Sequence, residues 1–569
     1  MDTVHNPSQD IPSEGQNHHE SNNQTTTHDA NEPKLHKTLD NQRTITLSSA
    51  LDQEEDMRME LQYLTKMADL LTNLSIEKEE IRKLVASHCG LASPDMVQVP
   101  DMIDSNNHLT WLYGSLNVCI PVRINAGSHL PAKMAFRVPL LHKIGEEAFP
   151  GNAEEKVRSE AATYIWIHEN CPDIPIPNLR GFGVPGGLSF FQPSFVPLWQ
   201  RIRTHIWRFF YSLFRSSDGS YASFCKYIPQ KRTTFFEYSY ILIDWIESDD
   251  SQILAYTWQQ PHTDKQTENL YRGISKVMIS LARIPQPRIG SWTIDNDGRL
   301  SLSNRPLFLQ FHQLENWAIP TIPRNITYST ADSFYLDLLS CHDSRLRYQK
   351  NSAGSEKDTR EQARDLVMMR ALLHEFTRQH SRNGPFVMQL TDLYLGNIFV
   401  DKDWNLKHVI DLEWTCSLPL QNLLPPYWLT GKGIDQLEGP EYGPFKTCYE
   451  KFAEIFEEEE DRAGQLHHNG HHLSRATSLK SALEDGRFWY LAALRSPKGL
   501  FNVFRQHLIP FYGLTNEYKC LAETVSSFWT PGMASFVEVK MKELGQYKQE
   551  VRDIFDDSAK SGHPRFSPT

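Results

Sequence analysis

The sequence predicts an α+β fold with two lobes, a strand-rich N-terminal lobe and a mainly helical C-terminal lobe. Short β-branched and alternating runs occupy the region from about Trp111 to Val138, which is typical of antiparallel strands. After about Asp250, apolar residues recur at helical spacing. Strands followed by helices in one chain favour an α+β arrangement. With 569 residues, the chain is long enough for roughly two to four folding units.

Composition divides the chain into four parts. Residues 1–50 are polar and have no apolar period, so we expect a disordered tail there and a second one at 558–569. We expect residues 51–247 to form N-terminal helices and the strand-rich lobe, and residues 248–557 to form the helical lobe. An insertion at about 187–237 interrupts the strand-rich lobe.

The elements of the strand-rich lobe follow one another in a clear order. Apolar residues from Met57 to Leu84 recur at helical spacing and predict one or two amphipathic helices. Two strands are predicted in LYGSLNVCIPVRI and KMAFRVPL. A helix is predicted in EEKVRSEAATYIWIHEN, and YSYILIDWIES has the pattern of a buried strand.

The insertion contains an arginine-rich aromatic segment, LWQRIRTHIWRFFYSLFR, at residues 198–215. Its apolar residues fall on one helical stripe, and its arginines lie largely off that stripe. The interpretation we favour is a helix that packs its apolar stripe on the protein body and shows its arginines to water. The alternative is a helix that lies on a membrane surface.

Charge and patterning exclude several functional classes. The net charge of −12 disfavours a general nucleic-acid binder, which carries a basic surplus. No apolar run approaches the roughly 20 residues that span a bilayer, so we expect no integral membrane segment. The N-terminal residues lack the pattern of a secretory signal, and the eight cysteines are scattered, as in reduced proteins of the cytoplasm. We therefore expect a cytoplasmic protein.

The segment from Phe386 to Trp414 is the most informative part of the chain. Two short apolar strands, Asn397–Val400 and Leu406–Ile410, flank the turn DKDWN, which predicts a β-hairpin. A hairpin brings its two open ends together, and polar residues stand at both of these ends.

These polar residues are Asp392 and Asn397 before the hairpin and Asp411 after it. Alone, each is most simply a helix cap, a turn residue or a strand end. Together, two carboxylates and a carboxamide suit Mg²⁺, which takes oxygen ligands and keeps substrate phosphates in its shell. A carboxylate left off the metal can orient and deprotonate a hydroxyl, as phosphoryl transfer requires.

The segment TDLYLGNIFVDKDWNLKHVIDLEW resembles the catalytic loop and metal-binding strand of the aminoglycoside phosphotransferase and choline-kinase-like superfamily, and it looks most like the large fungal branch. The resemblance implies a protein-kinase-like fold that uses ATP and Mg²⁺ to phosphorylate a hydroxyl of a small molecule. It implies that Asp392 is the catalytic base and that Asn397 and Asp411 bind the metal. Glu413 is a weaker candidate.

The remaining segments agree with that family in their order along the chain. YGSLNVCIPVRI resembles the loop that covers the phosphates of ATP, FRVPL the strand that carries the ATP-binding lysine, and ILIDWIES the hinge that holds adenine. The residues that these likenesses imply for ATP binding are Gly114, Ser115 and Asn117 in the loop, Arg137 in the strand, its partner Glu160, and Asp244 and Trp245 in the hinge.

Two positions depart from the family pattern. Leu390 stands where the catalytic loop of the family usually has histidine, and Arg137 replaces the lysine. Arginine keeps the charge, but its fork is bulkier and is aimed differently. These departures support the alternative that the protein is a pseudokinase, which would serve as a binding or scaffold module. The identity of the hydroxyl acceptor is not encoded in any motif.

Overall fold

The computed structural model describes residues 36–40, 43–125, 127, 130–214, 223–232, 234–247, 249–514 and 516–560. Most of the two predicted tails, 1–35 and 561–569, lies outside the described residues, as does Arg215 in the insertion. The chain is a mixed helix–sheet protein, as predicted. A strand-rich N-terminal part is followed by a mainly helical C-terminal part.

The described residues between 36 and 50 are ordered, although the sequence predicts a disordered tail there. They form β1 (His36–Thr38), the antiparallel strand β2 (Thr44–Thr46) and α1 (Leu47–Leu51). Ile45 and Ala50 are buried against the C-terminal helix, Met533–Lys560. That helix also continues into the predicted second tail, as far as Lys560. A few apolar residues within this polar stretch pack on a helix that is distant in the sequence, and such a contact cannot be predicted from composition.

Three helices follow: α2 (Met57–Glu60), α3 (Tyr63–Ile76) and α4 (Lys78–His88). The predicted apolar spacing is confirmed, because Leu70, Leu74, Ile81 and Leu84 are buried together against the central sheet. Asp69, Glu79 and Lys83 of the same helices are exposed to solvent.

The central sheet is antiparallel throughout and has the order β10-β8-β7-β11-β6-β5-β3, with β4 beside β5. The strands of the N-terminal part are β3 (Val97–Gln98), β4 (Leu112–Tyr113), β5 (Asn117–Ile124), β6 (Lys133–Pro139), β7 (Leu179–Val184), β8 (Leu188–Phe191), β9 (Ser223–Phe224), β10 (Ile228–Lys231) and β11 (Tyr240–Asp244). β9 lies outside this sheet and pairs with a later strand.

The two faces of the sheet are covered by different helices. Side chains alternate along a strand, so Ala135 and Ile241 face α5 (Asn152–Asn170), whereas Phe136 and Leu242 face α3 and α4. The predicted strands and the predicted helix in EEKVRSEAATYIWIHEN are thereby confirmed. The insertion contributes α6 (Leu198–Phe214) at the edge of this part.

The C-terminal part contains most of the helices. Its helices are α7 (Ala255–Trp258), α8 (Asp264–Leu281), α9 (Leu309–Asn316), α10 (Ala331–Tyr348), α11 (Glu356–Phe376), α12 (Tyr442–Ala463), α13 (Arg475–Glu484), α14 (Arg487–Arg495), α15 (Leu500–Val503), α16 (Ile509–Phe511), α17 (Glu517–Cys520), α18 (Ala522–Ser526) and α19 (Met533–Lys560). Over the described residues, none of the helices combines the length and the apolarity that crossing a membrane requires.

Short antiparallel strands are inserted among these helices. They are β12 (Gln252–Ile253), β13 (Ser291–Ile294), β14 (Arg299–Asn304), β15 (Phe386–Leu390), β16 (Ile398–Val400), β17 (Leu406–Val409), β18 (Thr415–Pro419), β19 (Leu466–His468) and β20 (His471–Leu473). β14 pairs with β9, and β15 pairs with β18. β16 and β17 form the predicted hairpin, which is therefore confirmed.

Candidate active site

A buried cluster of charges lies where the central sheet and α5 meet the segment that follows β17. The sheet supplies Arg137 from β6, and α5 supplies Glu160. Asp411 and Glu413 come from the C-terminal part. Residues more than 270 positions apart in sequence thus share one site.

Arg137 is at the centre of this cluster and is almost fully buried. Its Nη1 donates a hydrogen bond of 2.7 Å to Oε1 of Glu160, which is the ion pair that the sequence predicts. Its Nη2 donates to Oδ1 of Asp411 and lies 3.9 Å from Oε2 of Glu413. The arginine fork therefore connects α5 to a predicted metal ligand, which a single-point lysine could not do with the same geometry.

Lys156 is a second buried cation of the cluster, and the sequence reasoning missed it. Its side chain is fully buried. Its Nζ donates a hydrogen bond of 2.7 Å to Oδ1 of Asn117 and lies 3.0 Å from Oε1 of Glu413. It also lies 3.9 Å from Oε2 of Glu160. The signal that could have found it is the spacing of four residues from Glu160, which places both on one face of α5.

Glu413 is surrounded by Lys156, Asn117 and Arg137 and is buried rather than exposed to solvent. Besides contacting Lys156, it accepts a hydrogen bond of 3.1 Å from Nδ2 of Asn117. Its side chain is only 2% exposed, compared with 30% for Asp411. Asp411 is thus the better placed of the two carboxylates to meet a ligand.

The carboxyl groups of the cluster differ in their affinity for protons. Burial raises the pKa of Glu160 and of Asp411, because the charged form loses its hydration. Burial also opposes ionisation of Glu413, but Lys156 and Arg137 outweigh it and lower the pKa of Glu413 to about 2. With all groups ionised, three carboxylates face two cations, so the cluster has a net negative charge that favours a further cation.

The hairpin brings the backbone of the predicted base, Asp392, close to that of the two predicted metal ligands, Asn397 and Asp411. Nδ2 of Asn397 donates 2.8 Å to the backbone carbonyl of Asp392. The backbone N–H of Ile410 donates 3.0 Å to the carbonyl of Asn397, which places Asp411 beside it. The turn is fixed by Asp401, whose Oδ1 accepts 2.9 Å hydrogen bonds from two backbone N–H groups of the loop.

Asp411 has a left-handed backbone conformation, with φ of 59°. Such a conformation is uncommon outside glycine and is frequently found where function fixes the direction of a side chain. Asp411 lies two residues after the end of β17, and its carboxylate accepts a hydrogen bond from Arg137.

Asn397 and Asp411 offer oxygen atoms of the kind that the predicted Mg²⁺ site requires. Asn397 donates through its nitrogen, which orients its side-chain oxygen as an acceptor, and Asp411 supplies carboxylate oxygens. Within the described parts of the chain, no group of three or more His, Cys, Asp or Glu side chains is arranged to hold a metal. Two oxygen donors match an ion that completes its shell with phosphate and water.

The predicted phosphate loop connects β4 to β5. The N–H of Gly114 donates 2.9 Å to the carbonyl of Asn117 and closes a tight turn, in which Gly114 and Ser115 are exposed. The Asn117 side chain turns inward to Lys156 and Glu413. The loop thus lies directly above the charge cluster.

The two predicted hinge residues make contacts outside the cluster. The carboxylate of Asp244 accepts hydrogen bonds of 2.6 and 2.9 Å from Arg180. The ring of Trp245 lies under the Nζ of Lys133, 3.6 Å from the ring centroid. Their side chains thus lie where the central strand β11 ends, and the resemblance implies that any contact with adenine falls to the backbone.

A cavity of about 920 Å³ borders the predicted catalytic loop. Leu390, Thr391 and Leu393 line it from the loop, and Tyr427 and Trp428 line it from the C-terminal part. Residues of the segment 43–55 close one wall. The cavity therefore reaches the residues on both sides of Asp392.

Comparison of the sequence with models of known protein families, and with curated proteins, finds no match.

Proposed function

We propose that the protein is an ATP- and Mg²⁺-dependent phosphotransferase that acts on a hydroxyl group of a small molecule, with a two-lobed protein-kinase-like fold of the aminoglycoside phosphotransferase and choline-kinase-like type. One observation carries the proposal. A sheet arginine paired with a helix glutamate meets a strand-terminal aspartate, beside a hairpin that holds Asp392 against Asn397.

In this proposal, ATP binds between the strand-rich part and the helical part. The exposed loop at Gly114 and Ser115 covers the phosphates, to which the backbone N–H of Ser115 donates while that of Gly114 stays bonded to Asn117, and Arg137 contacts them. Asn397 and Asp411 hold Mg²⁺, which neutralises charge on the phosphates. The Arg137–Asp411 contact then loosens, and each partner gains a ligand of opposite charge.

Asp392 orients the acceptor hydroxyl and takes its proton as the oxygen attacks. The bond from the γ-phosphorus to the bridging oxygen of ATP breaks, a bond to the acceptor oxygen forms, and ADP leaves. Positioning and charge stabilisation supply most of the catalysis in such transfers.

The acceptor enters the large cavity beside the catalytic loop. At about 920 Å³ the cavity lies near the upper end of the range for small-molecule sites. Its wall includes Glu54, Asp435 and Arg495 together with aromatic rings, so it suits an amphiphilic acceptor that carries polar groups.

The test is the Asp392→Asn variant, assayed for transfer of labelled γ-phosphate to a panel of hydroxyl compounds and to water. We expect turnover to fall by at least roughly 100-fold, because the general base is lost, while the ATP dissociation constant stays within about twofold. Asp403→Asn, in the exposed turn of the same hairpin, is the matched control and should retain full turnover. Undiminished transfer in Asp392→Asn would refute the assigned base.

The pseudokinase remains a second candidate because of one specific contact. Asp411 is already paired with Arg137, and this ion pair competes with a metal for the carboxylate. Leu390, which stands where the family usually has histidine, also favours the pseudokinase. ATP binding without transfer to any acceptor, water included, would favour this candidate.

A further inference from the structure

The helix α6 exposes the kind of side chains that a surface helix normally buries. A surface helix buries its apolar stripe and shows its charges to water. In α6 seven large apolar side chains are exposed to solvent, whereas Arg208 is directed towards the protein. The packing interpretation favoured by the sequence pattern is therefore wrong.

The inner side of α6 is attached through polar groups and through ring contacts of Trp207 and Tyr211 with Phe224. Nη1 and Nη2 of Arg208 donate 2.7 and 2.9 Å hydrogen bonds to the backbone carbonyls of Cys225 and Tyr227. Arg299 donates 3.0 Å to the hydroxyl of Tyr211, and its guanidinium lies 5.3 Å from the centroid of that ring. These contacts fix the rotation of the helix, so its apolar face cannot turn inward without breaking them.

The outer face of α6 is a continuous apolar patch. Of the 21 large apolar side chains that are exposed among the described residues, seven belong to this one helix. They are Leu198, Trp199, Ile202, Ile206, Trp207, Phe209 and Phe210, each at least 42% exposed. A patch of this kind marks a surface for interaction rather than ordinary solvent exposure.

The charge around the patch indicates what covers it. α6 contains three arginines and no acidic residue, in a chain whose net charge is −12. Arg203 is exposed on the outer side, with its guanidinium 5.3 Å from the ring centroid of Trp199. Aromatic rings beside outward arginines match the boundary between acyl chains and anionic head groups. A second copy of the chain would instead oppose arginine to arginine.

We propose that α6 docks the protein onto the surface of an anionic phospholipid bilayer, with the helix parallel to the membrane and its outer face among the acyl chains. The docking is independent of the proposed transfer reaction.

The test is sedimentation of the full chain with phosphatidylcholine vesicles, with and without phosphatidylserine, at low and high salt. We expect binding that requires phosphatidylserine and weakens with salt. The triple variant Ile202→Gln/Phe209→Gln/Phe210→Gln should bind at least roughly tenfold more weakly. Arg203→Glu, which reverses one charge at the surface, should weaken binding by roughly 30-fold.

The matched control is the triple variant Ile76→Gln/Phe235→Gln/Phe528→Gln, which removes three even more exposed apolar side chains elsewhere and should bind as the unchanged protein does. Failure of the unchanged protein to sediment with phosphatidylserine vesicles would overturn the proposal. So would equal binding of the α6 triple variant, or a self-association in sedimentation velocity that the α6 substitutions abolish while vesicle binding is absent.

Discussion

Replacing Lys156 with methionine removes a buried cation and keeps a side chain of similar length. The structure places its Nζ 3.0 Å from Glu413 and 3.9 Å from Glu160. The variant leaves Arg137 as the single cation beside three carboxylates. We expect it to destabilise the folded state strongly, through the charges it leaves unpaired.

The magnitude follows from the two distances. At an effective dielectric constant of about 20, charges at 3.0 and 3.9 Å attract by roughly 5 and 4 kcal/mol. Removing the lysine also removes its own desolvation cost, which is several kcal/mol. The remaining loss of about 3–5 kcal/mol agrees with measured costs of breaking buried ion pairs.

The assay is equilibrium unfolding in urea, arranged as a double-mutant cycle with Glu413→Gln. The double variant should regain at least about 2 kcal/mol of the loss, because no unpaired carboxylate remains at that position. The exposed pair Lys83 and Glu80, 2.7 Å apart on α4, provides the control cycle. Its coupling energy should stay below about 1 kcal/mol.

Two results would refute this reasoning. One is a loss below about 1 kcal/mol for Lys156→Met. The other is simple additivity in the cycle, which would mean that Lys156 and Glu413 do not interact in the folded protein.

Two further predictions concern the contact between α4 and the sheet. Burial lowers the pKa of His88 to about 3 in the folded protein, whereas a histidine in the unfolded chain has a pKa of about 6.5. The unfolded chain therefore binds a proton first as the pH falls, and the free energy of unfolding decreases below about pH 6.5. Between about pH 7 and about pH 5 this loss is roughly 2 kcal/mol. Urea unfolding at both pH values should show that His88→Gln, unlike the exposed His471→Gln, removes that part of the pH dependence; equal dependence in both variants would contradict the prediction. Gly181→Ala would place a methyl group 2.2 Å from Nδ1 of His88 and should lower the free energy of unfolding by about 1–3 kcal/mol, whereas Gly545→Ala, in an open position of α19, should raise it by up to about 1 kcal/mol. Equal effects of the two substitutions would refute the close packing of β7 on His88.

Local patterns were sufficient to predict the hairpin and the convergence at its ends. The turn around Asp401 and the short apolar strands specify the hairpin, and the hairpin itself brings Asn397 and Asp411 together. These features depend on spacing that a sequence displays directly. The ion pair between Arg137 and Glu160 was instead implied by the resemblance to a kinase-like family, and the structure contains it.

The sequence could not show which side of a helix faces the protein, or which residues far apart in the chain are in contact. The period of α6 identifies its apolar stripe but not the side that faces the protein, which the bonds of Arg208 decide. Ile45 is buried by Tyr547 and its neighbours on α19, some 500 residues away in the chain. Lys156 was overlooked because a lysine among charged helix residues normally faces water.

The most direct test of the central claim is thermal unfolding of the unchanged protein and of Asp411→Asn, with ATP and Mg²⁺ added separately and together. Asparagine tolerates the left-handed conformation of Asp411, so the variant removes the charge without adding strain. At about 100 times its dissociation constant, a ligand of the folded state stabilises by about 2.7 kcal/mol. We predict a stabilisation that needs ATP and Mg²⁺ together and is lost in Asp411→Asn. No stabilisation under any condition, or an equal one in the variant, would contradict a metal–nucleotide site at this cluster.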